Sequence, residues 1–147
     1  MENSADLFYA CFTMTTRTGK IIGWICAILV GAFNAFAAVM KYVPQEAGSP
    51  GDVMVEQLGV RDLNQYLGVI EIIIIVLFLI PRTSTVGFVL MIGYMGGAFA
   101  TNLTHGFDSM PEMIPFIVIF IVLTISAYFR NPELLSRLLK KPVPEKV

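Results

Sequence analysis

The sequence predicts an all-α protein: a four-helix transmembrane bundle with a short outer-loop helix and a C-terminal interfacial amphipathic helix. Three observations carry that expectation. The chain of 147 residues is 56% hydrophobic and only 14% charged. A water-soluble domain of this size has too much surface per unit volume to hide so large an apolar fraction. Four apolar stretches approach the ~20 helical residues that a bilayer core requires. The basic residues are also lopsided between the loops on the two sides, as membrane insertion demands.

The spans are read over residues 21–42, 63–80, 86–103 and 113–129. The second contains EIIIIVLFLI, which in isolation resembles a buried strand. Its length and its three similar neighbours favour a helix, the only open-ended structure that satisfies every backbone group in lipid. Pro81, Arg82 and Thr83 end the second span and leave a tight turn before the third. Ser109 and Glu112 form a capping-box pattern that opens the fourth. Asn131, Pro132 and Glu133 close it and start a helix with leucines on one side and Arg137, Lys140 and Lys141 towards the other, suited to an anionic leaflet.

These limits divide the chain into a lead-in over 1–19, a four-helix domain over 20–130 and a basic cytosolic tail over 131–147. The lead-in carries Glu2 and Asp6 where a signal peptide would be positive. The connection after the first span is too long for a plain turn. Asp52 is read as the cap of a short outer helix there, with Gly59 ending it, either half-buried at the surface or as a re-entrant hairpin.

Eight of the ten basic residues fall at the chain ends or in the Arg82 turn, against Lys41 and Arg61 on the other side. The positive-inside rule then places both termini in the cytoplasm, in a multi-pass protein of the plasma membrane, the inner membrane of a bacterium. A net charge of −1 gives no support to nucleic-acid binding. Two cysteines without a C-x-x-C pattern and one histidine give none to a dithiol, zinc or bis-histidine haem site. No metal and no intrinsic cofactor is expected.

The chemistry of such a chain lies in polar groups on apolar helices, because an ionisable residue inside a membrane needs a partner or a cavity. Gly31, Asn34, Ala38 and Lys41 share one stripe of the first helix, and Asn64, Gly68, Glu71 and Ile75 one of the second. Met91, Tyr94, Ala98, Thr101 and His105 share one of the third, with Asn102 beside it. Helical rise puts Asn34, Glu71 and Tyr94 about 10–13 Å below the outer surface, in one layer. The candidate ligand-binding set is therefore Asn34, Lys41, Glu71, Tyr94, Thr101, Asn102 and His105. Against it stand ordinary structural readings: an ion pair fixing helix register for Lys41 and Glu71, interhelical hydrogen bonds for Asn34, Tyr94 and Thr101, and solvation at the water boundary for Asn102 and His105. Gly93-x-x-x-Gly97 reads as close helix packing, since no strand precedes it to make a phosphate loop.

The run LGVIEIIIIVLFLIPRTSTVGFVLMIGYMGGAFAT from Leu67 resembles the DoxX-like family. Family members carry Gly-x-x-Glu at the start of the second helix, a Pro-Arg-Thr turn, and Gly-Tyr-x-Gly-Gly-Ala-x-Ala-Thr-His on the third. Met40 and Lys41 also match, and the resemblance covers roughly residues 20–131. Where the family has histidine after Ala-Thr, this chain has Asn102, with His105 one turn on. The resemblance implies a four-helix membrane fold and carries Lys41, Glu71, Tyr94 and Thr101 over as site candidates.

Relatives include a small membrane subunit of a thiosulfate:quinone oxidoreductase, proteins needed for methylamine dehydrogenase maturation, and a receptor-assembly chaperone. Three functions stay open. The first is an accessory subunit of a redox or quinone-linked membrane system that binds a quinone or another lipophilic ligand. The second is a non-catalytic assembly subunit that holds another membrane protein or a second copy of itself. The third is a membrane enzyme using Glu71 as acid or base. The lipid bilayer is a partner in all three.

Overall fold

The computed structural model describes residues 17–131, and among them every regular element is helical. Helix α1 spans Arg17–Met40, α2 Pro50–Gln57, α3 Asn64–Leu79, α4 Ser84–Thr104 and α5 Met110–Arg130, with a 3₁₀ turn at Arg61–Leu63 leading into α3. The four longer segments are long and apolar enough to cross a membrane. The lead-in over 1–16 and the amphipathic helix expected beyond Asn131 lie outside the described residues.

The long helices form an up-and-down ring in chain order. The seams α1–α5, α1–α3 and α3–α4 are the most extensive, and a shorter α4–α5 seam closes the ring. One end of the bundle holds the α1–α3 and α4–α5 connections and is called here the loop end. The other holds Arg17, the α3–α4 turn and Arg130 and is called the termini end. Ala27, Val30, Ile74, Phe78, Met91 and Leu123 fill the axis. Ile25, Ile28, Phe36, Ile73, Val89 and Ile121 are exposed on the rim, which is the inside-out pattern of a chain whose solvent is hydrocarbon. This is an integral membrane protein in direct contact with lipid.

Helix bounds differ from the hydropathy limits by a few residues because hydropathy marks the apolar core while a helix continues into the headgroup layer. Helix α1 begins by Arg17 and stops at Met40, and α5 starts at Met110. The Ser109 amide donates to the Glu112 carboxylate at 3.1 Å, as the capping box requires.

The outer helix forms, with a different cap from the one read in the sequence. Ser49 is the N-cap, its hydroxyl accepting from the Asp52 amide at 3.3 Å, and Pro50 takes the first helical position. Asp52 instead accepts from the Gly48 amide at 3.0 Å and from Arg61 at 2.8 Å. These two donors hold its carboxyl below its ordinary pKa. Gly59 follows the helix with φ +65°, a backbone state that favours glycine. No residue of α2 is buried, so it does not re-enter the bundle.

Close packing is made at the termini end. A Cβ at Gly87 would fall 2.2 Å from the Phe78 nitrogen, so α4 lies directly on the backbone of α3. Gly19 and Gly23 admit Phe129 and the stem of Arg130 in the same way. The Gly93-x-x-x-Gly97 face, expected to pack against a neighbouring helix, has open space at Gly93, Gly96 and Gly97. Whatever close approach those glycines permit is not made within the described residues.

Gly87→Ala is expected to destabilise the protein by about 1–3 kcal/mol, since the backbone of Phe78 has to move. Gly93→Ala is expected to be neutral or stabilising, because it gains helix propensity without a clash. Thermal unfolding of the two variants in detergent checks the contrast, and equal losses would overturn it.

Candidate functional site

Helices α1 and α3 run antiparallel, and a glycine sets their register at the loop end. Gly68 receives the ring of Tyr42, on which a Cβ would fall at 2.9 Å, whereas Gly31 meets Leu79 at ordinary contact distance. The Tyr42 hydroxyl donates to the Gln65 carbonyl at 3.0 Å, and Asn64 donates to the Lys41 carbonyl at 3.4 Å. Lys41 thus sits just above Glu71 on the neighbouring helix and reaches down to it. Its ammonium forms an ion pair with Glu71 Oε2. Glu71 is 2% exposed and the Lys41 side chain 21%, so the carboxylate lies inside the bundle and the cation at its edge.

Tyr94 completes the group from α4. Its hydroxyl lies 3.2 Å from Glu71 Oε2 and 3.3 Å from the Leu67 carbonyl, so one proton faces two acceptors. The Lys41 ammonium stands 5.9 Å from the Tyr94 ring centre, within cation–π range. Both bonds to Glu71 use the same oxygen. No described residue bonds Oε1.

The other candidates do not join this cluster. Asn34 is buried at 1% exposure, and its amide donates to Val30 of its own helix at 2.8 Å. The one-layer estimate assumed that the predicted ends of the first two spans, residues 42 and 63, lie in one plane. Tyr42 packs on Gly68, five residues further along α3, which moves Asn34 about 7 Å deeper than Glu71. Thr101 and Asn102 stand two turns beyond Tyr94 towards the loop end. Thr101 donates to the Gly97 carbonyl at 2.9 Å and Asn102 to the Ala98 carbonyl at 2.8 Å. His105 is exposed at the end of α4, with Nδ1 at 2.8 Å from the Thr101 carbonyl. Asn102 is the inward-facing member of this rim group at 7% exposure.

A second polar cluster, at the termini end, escaped the sequence reading. Pro81 stops α3 and forces Ile80 into extended backbone at ψ 123°. The last four carbonyls of α3 then need partners. Val76 accepts from the Ile80 amide at 3.1 Å, and Leu77 from the Thr83 hydroxyl at 2.8 Å. Arg130 supplies the rest, with Nη2 donating to Phe78 at 3.0 Å and to Leu79 at 3.1 Å. Its guanidinium stacks 4.4 Å from the Trp24 ring centre and 5.1 Å from that of Phe78. Ser126 donates to the Gly23 carbonyl at 3.0 Å, and Ser84 lies 2.7 Å from Asn131. The available signal was an arginine ending one span at the level of a tryptophan on another, with Gly19 and Gly23 one turn apart to let them meet. Arg130 was counted only as a topology charge.

Among the described residues, no three His, Cys, Asp or Glu side chains come together to hold a metal. Cys26 is a free, half-buried thiol.

The fold and the buried ion pair define a class: a small polytopic membrane protein with a charged pair held between three of its helices near one end. The profile of the DoxX-like family matches residues 25–127, from within α1 to near the end of α5. The chain belongs to the DoxX-like family. Comparison with curated proteins and with solved structures gave no match.

Removing one partner of a buried pair strands a charge in low dielectric, at a cost of about 3–5 kcal/mol, whereas removing both does not. Lys41→Met alone is therefore expected to lower the melting temperature more than Lys41→Met combined with Glu71→Gln. A double-mutant cycle in detergent reads the coupling, and additive losses would show that the pair does not stabilise the bundle.

Proposed function

We propose that this protein is a ligand-binding accessory subunit of a redox or quinone-linked membrane system. A lipophilic small molecule, such as a quinone, would place its polar head against Lys41, Glu71 and Tyr94. The observation that carries the reading is the buried Glu71 carboxylate, paired with one lysine and hydrogen-bonded by one tyrosine, yet left with an oxygen that no described residue bonds. That oxygen is not sealed within the bundle, so a donor from outside the chain can reach it. The rim formed by Thr101, Asn102 and His105 would flank the approach from the loop end. Small-ligand sites commonly take this form, an apolar surround with a few convergent polar groups. Electron transfer would belong to a partner, since the chain carries no flavin or metal-site motif.

The charge asymmetry supports an orientation in the plasma membrane with the loop end outward and both termini in the cytoplasm. In a variant lacking Cys11 and Cys26, cysteines at Ser49 and Ser109 are expected to react with an impermeant thiol reagent in intact cells. Cysteines at Arg82 and Glu145 are expected to react only after the membrane is opened. The reverse pattern would invert the site as well as the topology.

A second reading, a non-catalytic assembly subunit, is favoured by the open face at Gly93, Gly96 and Gly97 on α4. Small residues exposed to lipid let another transmembrane helix approach closely. Native mass spectrometry of the protein extracted gently from its own membrane separates the two. The ligand reading expects a bound lipophilic mass that Glu71→Gln removes while the yield of folded protein stays nearly unchanged. A stoichiometric second polypeptide with no small molecule would favour assembly.

A further inference from the structure

The donors and acceptors around Glu71 restrict the head group of a ligand, a restriction that rests on the ligand-binding reading above. Oε2 already receives Lys41 and Tyr94, and Oε1 has no partner among the described residues. A carboxylate held by an ammonium is ionised and can only accept. Tyr94 cannot fill Oε1, since its single proton is already placed between Oε2 and the Leu67 carbonyl. Lys41 has three N–H donors, and its only side-chain hydrogen bond among the described residues is the one to Glu71. It is also the partly exposed member of the pair, so a ligand meets the cluster along Lys41.

What is missing from the cluster is therefore a donor for Glu71 Oε1 and an acceptor for the remaining Lys41 protons. The cluster is also neutral as a whole. A head group bringing a net charge into this apolar surround would face the like-charged member of the pair and pay desolvation as well. A hydroxyl meets both needs with one oxygen, donating its proton to Oε1 and accepting from Lys41. We infer that the site takes a neutral amphiphile whose head bears a hydroxyl, of the phenol, hydroquinone or long-chain alcohol class. Heads that offer acceptors alone, such as ethers and esters, leave Oε1 unfilled, and of a quinone couple it is the reduced, hydroxyl-bearing form that fills it.

The test uses a matched pair of probes, 4-dodecylphenol and its methyl ether 4-dodecylanisole, both uncharged at about pH 7. They differ in the one proton that matters. The unmodified protein in phosphatidylcholine nanodiscs is loaded with each probe, and retention is read by native mass spectrometry against dodecanoate, a charged probe of similar length. The phenol is expected to be retained about tenfold more tightly than the ether, the size of one hydrogen bond to a charged acceptor. Dodecanoate is expected to be the weakest of the three. Lys41→Met combined with Glu71→Gln should erase the preference for the phenol. Equal retention of phenol and ether overturns the hydroxyl requirement while leaving the ligand-binding reading in place. Tightest retention of dodecanoate overturns the neutral head group. Retention of none of the probes overturns the inference together with the reading beneath it.

Discussion

A carboxylate buried among hydrocarbon is the constraint around which the loop end of this protein is arranged. Glu71 lies on α3 in a run of isoleucines, where an isolated charge would be prohibitively costly. It is tolerated because α1 ends at the right height to bring Lys41 over it and α4 presents Tyr94 from the other side. That height is set by packing of small against large residues. Gly68 admits the Tyr42 ring, which fixes the antiparallel register of α1 on α3 at the loop end of the seam. A slip of one residue along α3 would turn Glu71 away from Lys41 by about 100°.

The termini end meets a different requirement of the same solvent. A helix that stops at a proline leaves carbonyls exposed where little water can reach them. Thr83 and Arg130 supply the donors, and Trp24 and Phe78 cover the guanidinium. Arg130 belongs to α5 but terminates α3, and it rests on α1 through Gly23. One side chain therefore holds three helices together. The two ends are thus unlike in character. The termini end caps backbone carbonyls with an arginine whose Nη1, like the Asn131 amide nitrogen, has no partner among the described residues, whereas the loop end is built on an ion pair between α1 and α3.

The ion pair, with a buried carboxylate and a lysine that is partly exposed, is the reason to look for function at the loop end. The open glycine face on α4 offers close approach with no neighbour among the described residues. Small-molecule binding and helix–helix assembly are compatible in one protein, and the two features occupy the same helix.

The number of spans, their approximate limits and the inward stripes on α1 and α3 were legible in the sequence. Each follows from the one-dimensional pattern of apolar and polar residues read against a fixed helical period. Lys41 and Glu71 were legible as a pair because a charge in lipid must have a partner and only one cation was near. What the sequence could not supply was the height of one helix against the next. Hydropathy locates each span relative to the membrane with an error of several residues, and Asn34 was therefore misplaced by about five of them. Arg130 was hidden for a related reason: an arginine at a span boundary looks like a topology charge until a neighbouring helix is seen to end beneath it. Only the tertiary structure decided these points, because register is set by which glycine receives which side chain, and that contact joins residues with no periodic relation along the chain.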